Sequence, residues 1–236
     1  SCLPIPIAIS LIDKQGDLVQ FSINNLKLQY EHVFLLSKSN DKVEISGYKN
    51  IVIPSLLRRF SAPVNIKTDL TISEYLHILR HDNDPFNKWE AIQNLYLSCV
   101  VNEENINLIT SILNYFLSEK IISSSLLAYL LEFPSKNALE NLYNVSDPID
   151  VYNARRNLIK KIALSLQNIF EKTVSRLIND DIKRSDQMGK RLLLGKILNY
   201  LVLIDSKIGI QLAENISVSD NMTLSSIGLK SLCQGD

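Results

Sequence analysis

Glycine and proline are scarce, seven of each among 236 residues, which excludes a collagen-like fibre. Cysteine is scarcer. Cys2, Cys99 and Cys233 are an odd number and widely spaced, so they form neither a disulfide framework nor a zinc ribbon. Cys99 falls in an apolar helical stretch and reads as a small buried hydrophobe, and a reducing, cytoplasmic compartment is expected. Net charge is also missing. The 25 Lys+Arg cancel the 25 Asp+Glu, which leaves no electrostatic footprint for nucleic acid. No long uncharged apolar run occurs, so no membrane span and no membrane partner are expected. Ser1-Cys2-Leu3-Pro4 lacks the charged start and apolar core of a signal peptide. It also lacks an initiator Met, and the chain is expected to be an excised piece.

What is present is apolar: 46% of the residues are hydrophobic, enough to exclude disorder. A chain of this length buries about 70% of the surface of its unfolded form, so it needs no metal or disulfide staple. The apolar residues follow two periods. Over residues 1–68 the period is two. Ile5, Ile7, Ile9 and Leu11 alternate with Pro6, Ala8 and Ser10 as in a half-buried strand, and Asp13-Lys14-Gln15-Gly16 is a turn. Leu18, Phe21 and Ile23, then Val33 to Leu36, then Val43 and Ile45, then Ile51 to Ile53 continue the pattern, with Pro54 ending that run. Val64, Ile66 and Thr68 form the last alternating stretch. These short strands predict an incomplete antiparallel β-sandwich over 1–68.

From residue 69 the period becomes helical. Thr71 and Glu74 fit a capping box that opens a helix to about Arg80. Asp84-Pro85 pairs an Asp cap with Pro at the first helical position, ahead of Trp89, Ile92, Leu95, Tyr96 and Cys99. Ile106 to Phe116 is a further helix. Ser123 to Ser125 cap one ending near Pro134, and Ser135 caps a short one with Leu139 and Leu142. Asp147-Pro148 opens the longest pattern, Val151 to Ile178. Ser185, Ile208 and Thr223 begin the last three helices. The prediction for 69–236 is a truncated helical domain, a superhelical array without a fixed sequence period. The chain is thus mostly α with a small N-terminal all-β part.

Several residues suggest chemistry and are better explained otherwise. His77 and His81 share a helical face at i and i+4, but Ile78 stands where a zinc peptidase helix has its Glu base, and Arg80 opposes a cation. A packed and a solvated histidine at a helix end are expected. Asp82-Asn83-Asp84 opens like a calcium loop yet lacks its glycine and distant Glu. Arg58-Arg59, Arg155-Arg156 and Lys160-Lys161 are expected on solvated faces or in local ion pairs. Trp89 is expected in the core, and His32 has no nucleophile beside it. No Gly-rich phosphate loop and no G-x-S-x-G elbow occur.

The run Pro54-Ser55-Leu56-Leu57-Arg58-Arg59-Phe60-Ser61-Ala62-Pro63-Val64 resembles a segment late in the β-domain of the bacterial aminopeptidase N family, gluzincin-type zinc metallopeptidases. Arg80-His81 with Asp84, Phe86, Lys88, Trp89 and Glu90 follows in the same order, then Asp147-Pro148-Ile149 and Asn221-Met222-Thr223. Ile7, Leu11, Asp13 and Gly16 fit the preceding strands. The resemblance implies a four-part enzyme that removes N-terminal residues from peptides. In it, zinc polarises the scissile carbonyl and activates a water, with Glu as base. This chain resembles most of the third part, a β-sandwich, and half or more of the fourth, a helical domain. The H-E-x-x-H helix, the downstream Glu ligand and the G-x-M-E-N motif of that family are absent.

No catalytic, cofactor-binding or metal-ligating residue is therefore expected here, and zinc belongs to the intact parent only. The implied partners are the parent's catalytic domain and, through it, peptides; the implied role is to shape and restrict the catalytic chamber. The alternative is a free-standing helical protein-interaction module. The isolated chain is expected to be inactive and to self-associate, through an exposed Ile5–Leu11 edge strand or an open face near Ile227 and Leu232.

Overall fold

A computed structural model describes residues 3–140, 147–179 and 182–235. The chain folds as two compact units, Ser1–Leu95 and Tyr96–Asp236.

The first unit carries β1 (Ile5–Asp13), β2 (Leu18–Val19), β3 (Ser22–Ile23), β4 (Glu31–Leu36), β5 (Ile45–Ser46) and β6 (Val52–Leu56). On one edge β1 pairs with β4 through Ile5–Ser10 and then with β2 through Leu11 and Ile12. On its other edge it pairs with β6 through Ile9–Asp13. β3 and β5 make a second, two-stranded sheet, and every pairing is antiparallel. Ile9 and Leu11 of β1 pack with Phe21 and Ile23, while Ile7 packs with Leu57 and Ala62. The turn after β1 is built by Asp13, whose Oδ1 accepts from the Gln15 and Asp17 amides at 2.9 and 3.0 Å. Gly16 sits there at φ 96°, a conformation that side chains rarely adopt.

Four strand expectations are corrected. β1 is buried on both faces, because the alternate residues Ala8, Ser10 and Ile12 are covered as fully as Ile7, Ile9 and Leu11. It is also the central strand rather than an edge, so its backbone groups are paired along both sides. Pro54 does not end a strand but lies within β6. That position is open to proline because, among the described residues, β6 pairs only with β1 and so has one edge on which no amide is needed. Val64–Thr68 forms no strand. Its alternation is that of an extended segment whose Val64 and Ile66 lean on the Ile7–Leu57–Ala62 cluster without joining a ladder.

Two helices follow, α1 (Ile72–His81) and α2 (Pro85–Val101), the second running from the first unit into the next. The Thr71 capping box is fully formed. Asp84 Oδ1 accepts from the Phe86 and Asn87 amides at 2.9 and 3.1 Å, the cap that the Asp-Pro pair implies.

The second unit holds α3 (Asn105–Glu119), α4 (Ser124–Leu130), α5 (Lys136–Glu140), α6 (Pro148–Asn179), α7 (Met188–Leu203), α8 (Lys207–Ser217) and α9 (Met222–Leu232). Ser123, Ser135 and Asp147 all cap as the sequence implies. Ser185 begins a 3-10 turn that leads into α7 rather than α7 itself. α9 begins at Met222, one residue before Thr223, and Asn221 caps it, its Oδ1 accepting from the Leu224 amide. Leu142 lies outside the described residues.

α7 buries most of its apolar residues, Leu193 to Leu203 foremost, and it packs against α4, α6, α8 and α9. Tyr96 and Tyr200 donate to the adjacent carbonyls of Leu130 and Leu131, at 2.8 and 2.7 Å, closing the end of α4. α8 and α9 meet so closely that a Cβ on Gly228 would lie 2.5 Å from the Ala213 carbonyl oxygen. This is the mostly α, superhelical second part that the sequence predicts. Among the described residues, no helix is long and apolar enough to cross a membrane.

Candidate functional site

The histidine pair is occupied with structural duties. The Nε2 of His77 donates to the Asp13 carbonyl at 2.7 Å, and the His77 and His81 rings lie 4.6 Å apart. His81 is exposed, yet loss of hydration and then His77, Arg80 and Lys88 hold its pKa below the ordinary histidine value, with Asp17 opposing. Among the described residues no three His, Cys, Asp or Glu side chains converge as a metal site needs. His32 is buried in β4, its Nε2 bonded to the Phe21 carbonyl and its ring edge-on to Phe21 at 4.8 Å.

Arg58, Arg59 and Asp82–Asp84, distant in sequence, instead converge in one network. Arg58 is 4% exposed. Its Nε donates to Glu31 Oε2 at 3.0 Å, and its Nη1 to both Ser55 Oγ and Asp82 Oδ1 at 2.8 Å; Nη2 donates to Asn83 Oδ1. Arg59 pairs with the other side of Glu31, and its amide donates to Asp84 Oδ2 at 2.7 Å. The Arg59 hydrogen bond, foremost, and then its charge and those of Arg58 hold the Glu31 carboxyl below its ordinary pKa against partial burial. Asp82 Oδ1 also accepts from the Asp84 amide. The carboxylates that suggested calcium are thus engaged by guanidinium groups and amides, with Asp82 Oδ2 left without a partner among the described residues.

Beside them, Lys88 donates from Nζ to the Leu79 and Arg80 carbonyls at 2.7 and 3.0 Å, closing the end of α1. Burial pushes its ammonium down to about 8, with Asp82 opposing.

The network holds a strained turn. Leu57, Arg59 and Phe60 all sit near φ 53–55°, left-handed values that cost non-glycine residues about 1 kcal/mol or more each. The turn presents Phe60, half exposed, against Phe86 at 5.2 Å, and Phe86 against Trp89 at 6.0 Å. These rings wall a cavity of about 220 Å3, completed by Leu57, Ile66 and Tyr75. Its polar lining includes Asn65, Thr68, Asn87, Glu90 and Asn94. Burial pushes the Glu90 carboxyl up, and Asn94 donates to it at 3.5 Å. Asn87 is buried and its Nδ2 has no hydrogen-bond partner among the described residues.

Nothing here pairs a nucleophile with a base, and the arrangement is suited to holding an apolar group against aromatic rings. Trp89, expected in the core, forms part of the wall. Phe86, Trp89 and Glu90 were visible as one face of α2 at i, i+3 and i+4. Phe60 carried no such signal, since its place depends on backbone angles that sequence spacing does not encode.

The other two basic stretches, Arg155-Arg156 and Lys160-Lys161, are in the helical unit. Lys161 pairs with Glu103, both exposed, and Arg155 Nε donates to the Pro134 carbonyl at 3.0 Å.

Comparison with known proteins gives a consistent answer. Residues 72–236 match the family described as a domain of unknown function (DUF3458_C) with ARM repeats, and residues 1–69 match its companion of Ig-like fold (DUF3458). Aminopeptidase N of Escherichia coli is 23% identical over 239 residues, covering 94% of this chain and 27% of that protein. Aminopeptidase N of Caulobacter vibrioides is 29% identical over 152 residues, 61% of this chain and 18% of that one. A crystal structure of Legionella pneumophila aminopeptidase A in complex with aspartic acid shares the fold with a TM-score of 0.76 at 24% identity, over 98% of this chain and 28% of that one. The chain spans about a quarter of the length of the E. coli relative it matches.

Proposed function

The chain belongs to the DUF3458 family, homologous to the C-terminal parts of aminopeptidase N, and we propose that it acts as the non-catalytic portion of a zinc aminopeptidase. The observation that carries this reading is the match to both family descriptions in chain order, together with the aminopeptidase N relatives. The parent's substrates are peptides, from which it releases N-terminal residues. Zinc and the catalytic groups belong to the parent's catalytic domain, which is this chain's partner, and the helical part restricts access to the catalytic chamber. The Phe60–Phe86–Trp89 wall is the surface we assign to that partner, since a strained turn fixed by a buried arginine presents its phenylalanine to solvent rather than to the core.

The parent's compartment is the cytoplasm, a reading supported by the free thiols of Cys99 and Cys233. Self-association of the isolated chain belongs to the same reading. With β1 covered, the contact falls to α9, where Met222 and Leu229 are exposed, and a monomer in sedimentation at all concentrations would refute it.

Reading the open reading frame upstream of residue 1 tests the function. An H-E-x-x-H within the preceding few hundred residues is expected. A frame that begins at residue 1 would favour the interaction module instead. The 236-residue chain alone should release no product from an aminoacyl p-nitroanilide with zinc added, and stoichiometric turnover there would overturn the non-catalytic assignment.

A further inference from the structure

A second cavity, of about 220 Å3, opens in the helical unit between α6 and α7 and the segment after α4. Arg155, Arg156 and Lys196 line it, with Glu132 as the one carboxylate. Three cationic side chains thus line the cavity against one carboxylate, which Lys196 engages at 3.3 Å. Lys136, stacked 4.8 Å over the ring of Tyr152, adds a further positive charge beside that ring.

Arg155 is the fixed element. Its Nε is spent on the Pro134 carbonyl at 3.0 Å, and its guanidinium carbon lies 5.6 Å from the centre of the Phe133 ring. The two remaining nitrogens, Nη1 and Nη2, have no hydrogen-bond partner among the described residues. A planar guanidinium clamped on one edge leaves a forked pair of donors whose geometry matches a planar carboxylate. Burial lowers the pKa of Arg155 from the ordinary arginine value, with Tyr200, Tyr152 and Glu132 opposing, the sign of a cation that has lost hydration. The walls beside it are apolar: the Tyr152 ring, Ile159 and Leu203. The volume equals roughly seven water molecules, room for one small acid or one chain end but not for a nucleotide.

We propose that this cavity is a binding site for an organic carboxylate, forked onto Nη1 and Nη2 of Arg155 with its carbon body against Tyr152 and Ile159. Carboxylate is favoured over phosphate by the planar two-nitrogen fork and by the apolar walls. The inference does not depend on the aminopeptidase reading, since it uses only the residues of the helical unit.

The test is a fluorine NMR titration of the 236-residue chain with 4-fluorobenzoate. Saturable binding is expected, with 4-fluorobenzamide, the neutral isostere, failing to bind. Arg155→Lys keeps the charge and loses the fork, and should weaken binding roughly tenfold. Asn199→Asp is the second variant. Asn199 lines the cavity and its Oδ1 accepts from Ser231 at 2.9 Å, a bond that Asp can keep, so the variant adds a negative charge without removing a contact. It should abolish binding with the helical circular dichroism unchanged. Competition distinguishes the sources of the carboxylate: displacement by N-acetyl-leucine but not by its amide would indicate a chain end, and displacement by neither would indicate a free acid. Equal binding of the benzamide, full binding by both variants, no binding at 10 mM, or displacement by inorganic phosphate alone would overturn the proposal.

Discussion

Replacing Arg58 with methionine should cost the first unit a large part of its stability. Arg58 is 4% exposed and the Asp82 side chain is fully buried. Methionine fills the aliphatic stem's space but removes the donors to Glu31, Ser55, Asp82 and Asn83. Glu31 keeps Arg59 and some solvent. Asp82 keeps the Asp84 amide on Oδ1 and the charge of Lys88 nearby, while its Oδ2 has no partner among the described residues. Removing one partner of a buried ion pair costs about 3–5 kcal/mol. With a urea dependence of roughly 2 kcal/mol per molar, the midpoint should fall by about 1.5–2.5 M. Trp89 is the sole tryptophan and belongs to this unit, so its fluorescence follows this transition. Arg58→Met combined with Asp82→Asn removes both charges, and should recover part of the loss. A midpoint shift below about 0.5 M, or a double variant no better than Arg58→Met, would refute the view that the buried carboxylate governs the cost.

Two further outcomes follow from the same geometry. Glu31 has a folded pKa below its ordinary value of 4.5, so its contribution is present above pH 4.5 and is lost as pH falls through the lower folded value. Glu31→Gln should therefore be less stable than the wild type at pH 7, with the gap closing below about pH 4.5 in urea titrations read at Trp89. Gly228→Ala forces a methyl group to within 2.5–2.8 Å of the α8 backbone, and should lower stability by about 1–3 kcal/mol in a circular dichroism melt. Gly195→Ala, whose nearest neighbour would be an Ile227 methyl at 3.4 Å, should cost less.

The features legible in the sequence were the local ones. Thr71, Asp84, Ser123, Ser135 and Asp147 each cap a helix two or three residues away, so side chain and target are fixed together along the chain. Asn221 caps α9 in the same local way, from three residues before Leu224. The Val64–Thr68 segment showed strand periodicity without a strand, since alternation reports which side chains are covered and not whether a neighbouring backbone is present. Arg58 was read as half of a surface pair. Its partners Glu31 and Asp82 are 27 and 24 residues away, and no spacing rule links them. The cavity at Phe60 was hidden for the same reason.

Lys88 gives the junction of α1 and α2 a clock. Acylating reagents attack the neutral amine, and with a pKa of about 8 roughly half of the Lys88 side chains are neutral at pH 8, against fewer than about one in a hundred for an ordinary lysine. In the closed state that neutral amine is shielded, because Lys88 is 7% exposed and its Nζ is bonded to the Leu79 and Arg80 carbonyls. A reagent reaches it only when the helix end comes apart. Its labelling rate, set against that of surface lysines, therefore counts how often this junction opens.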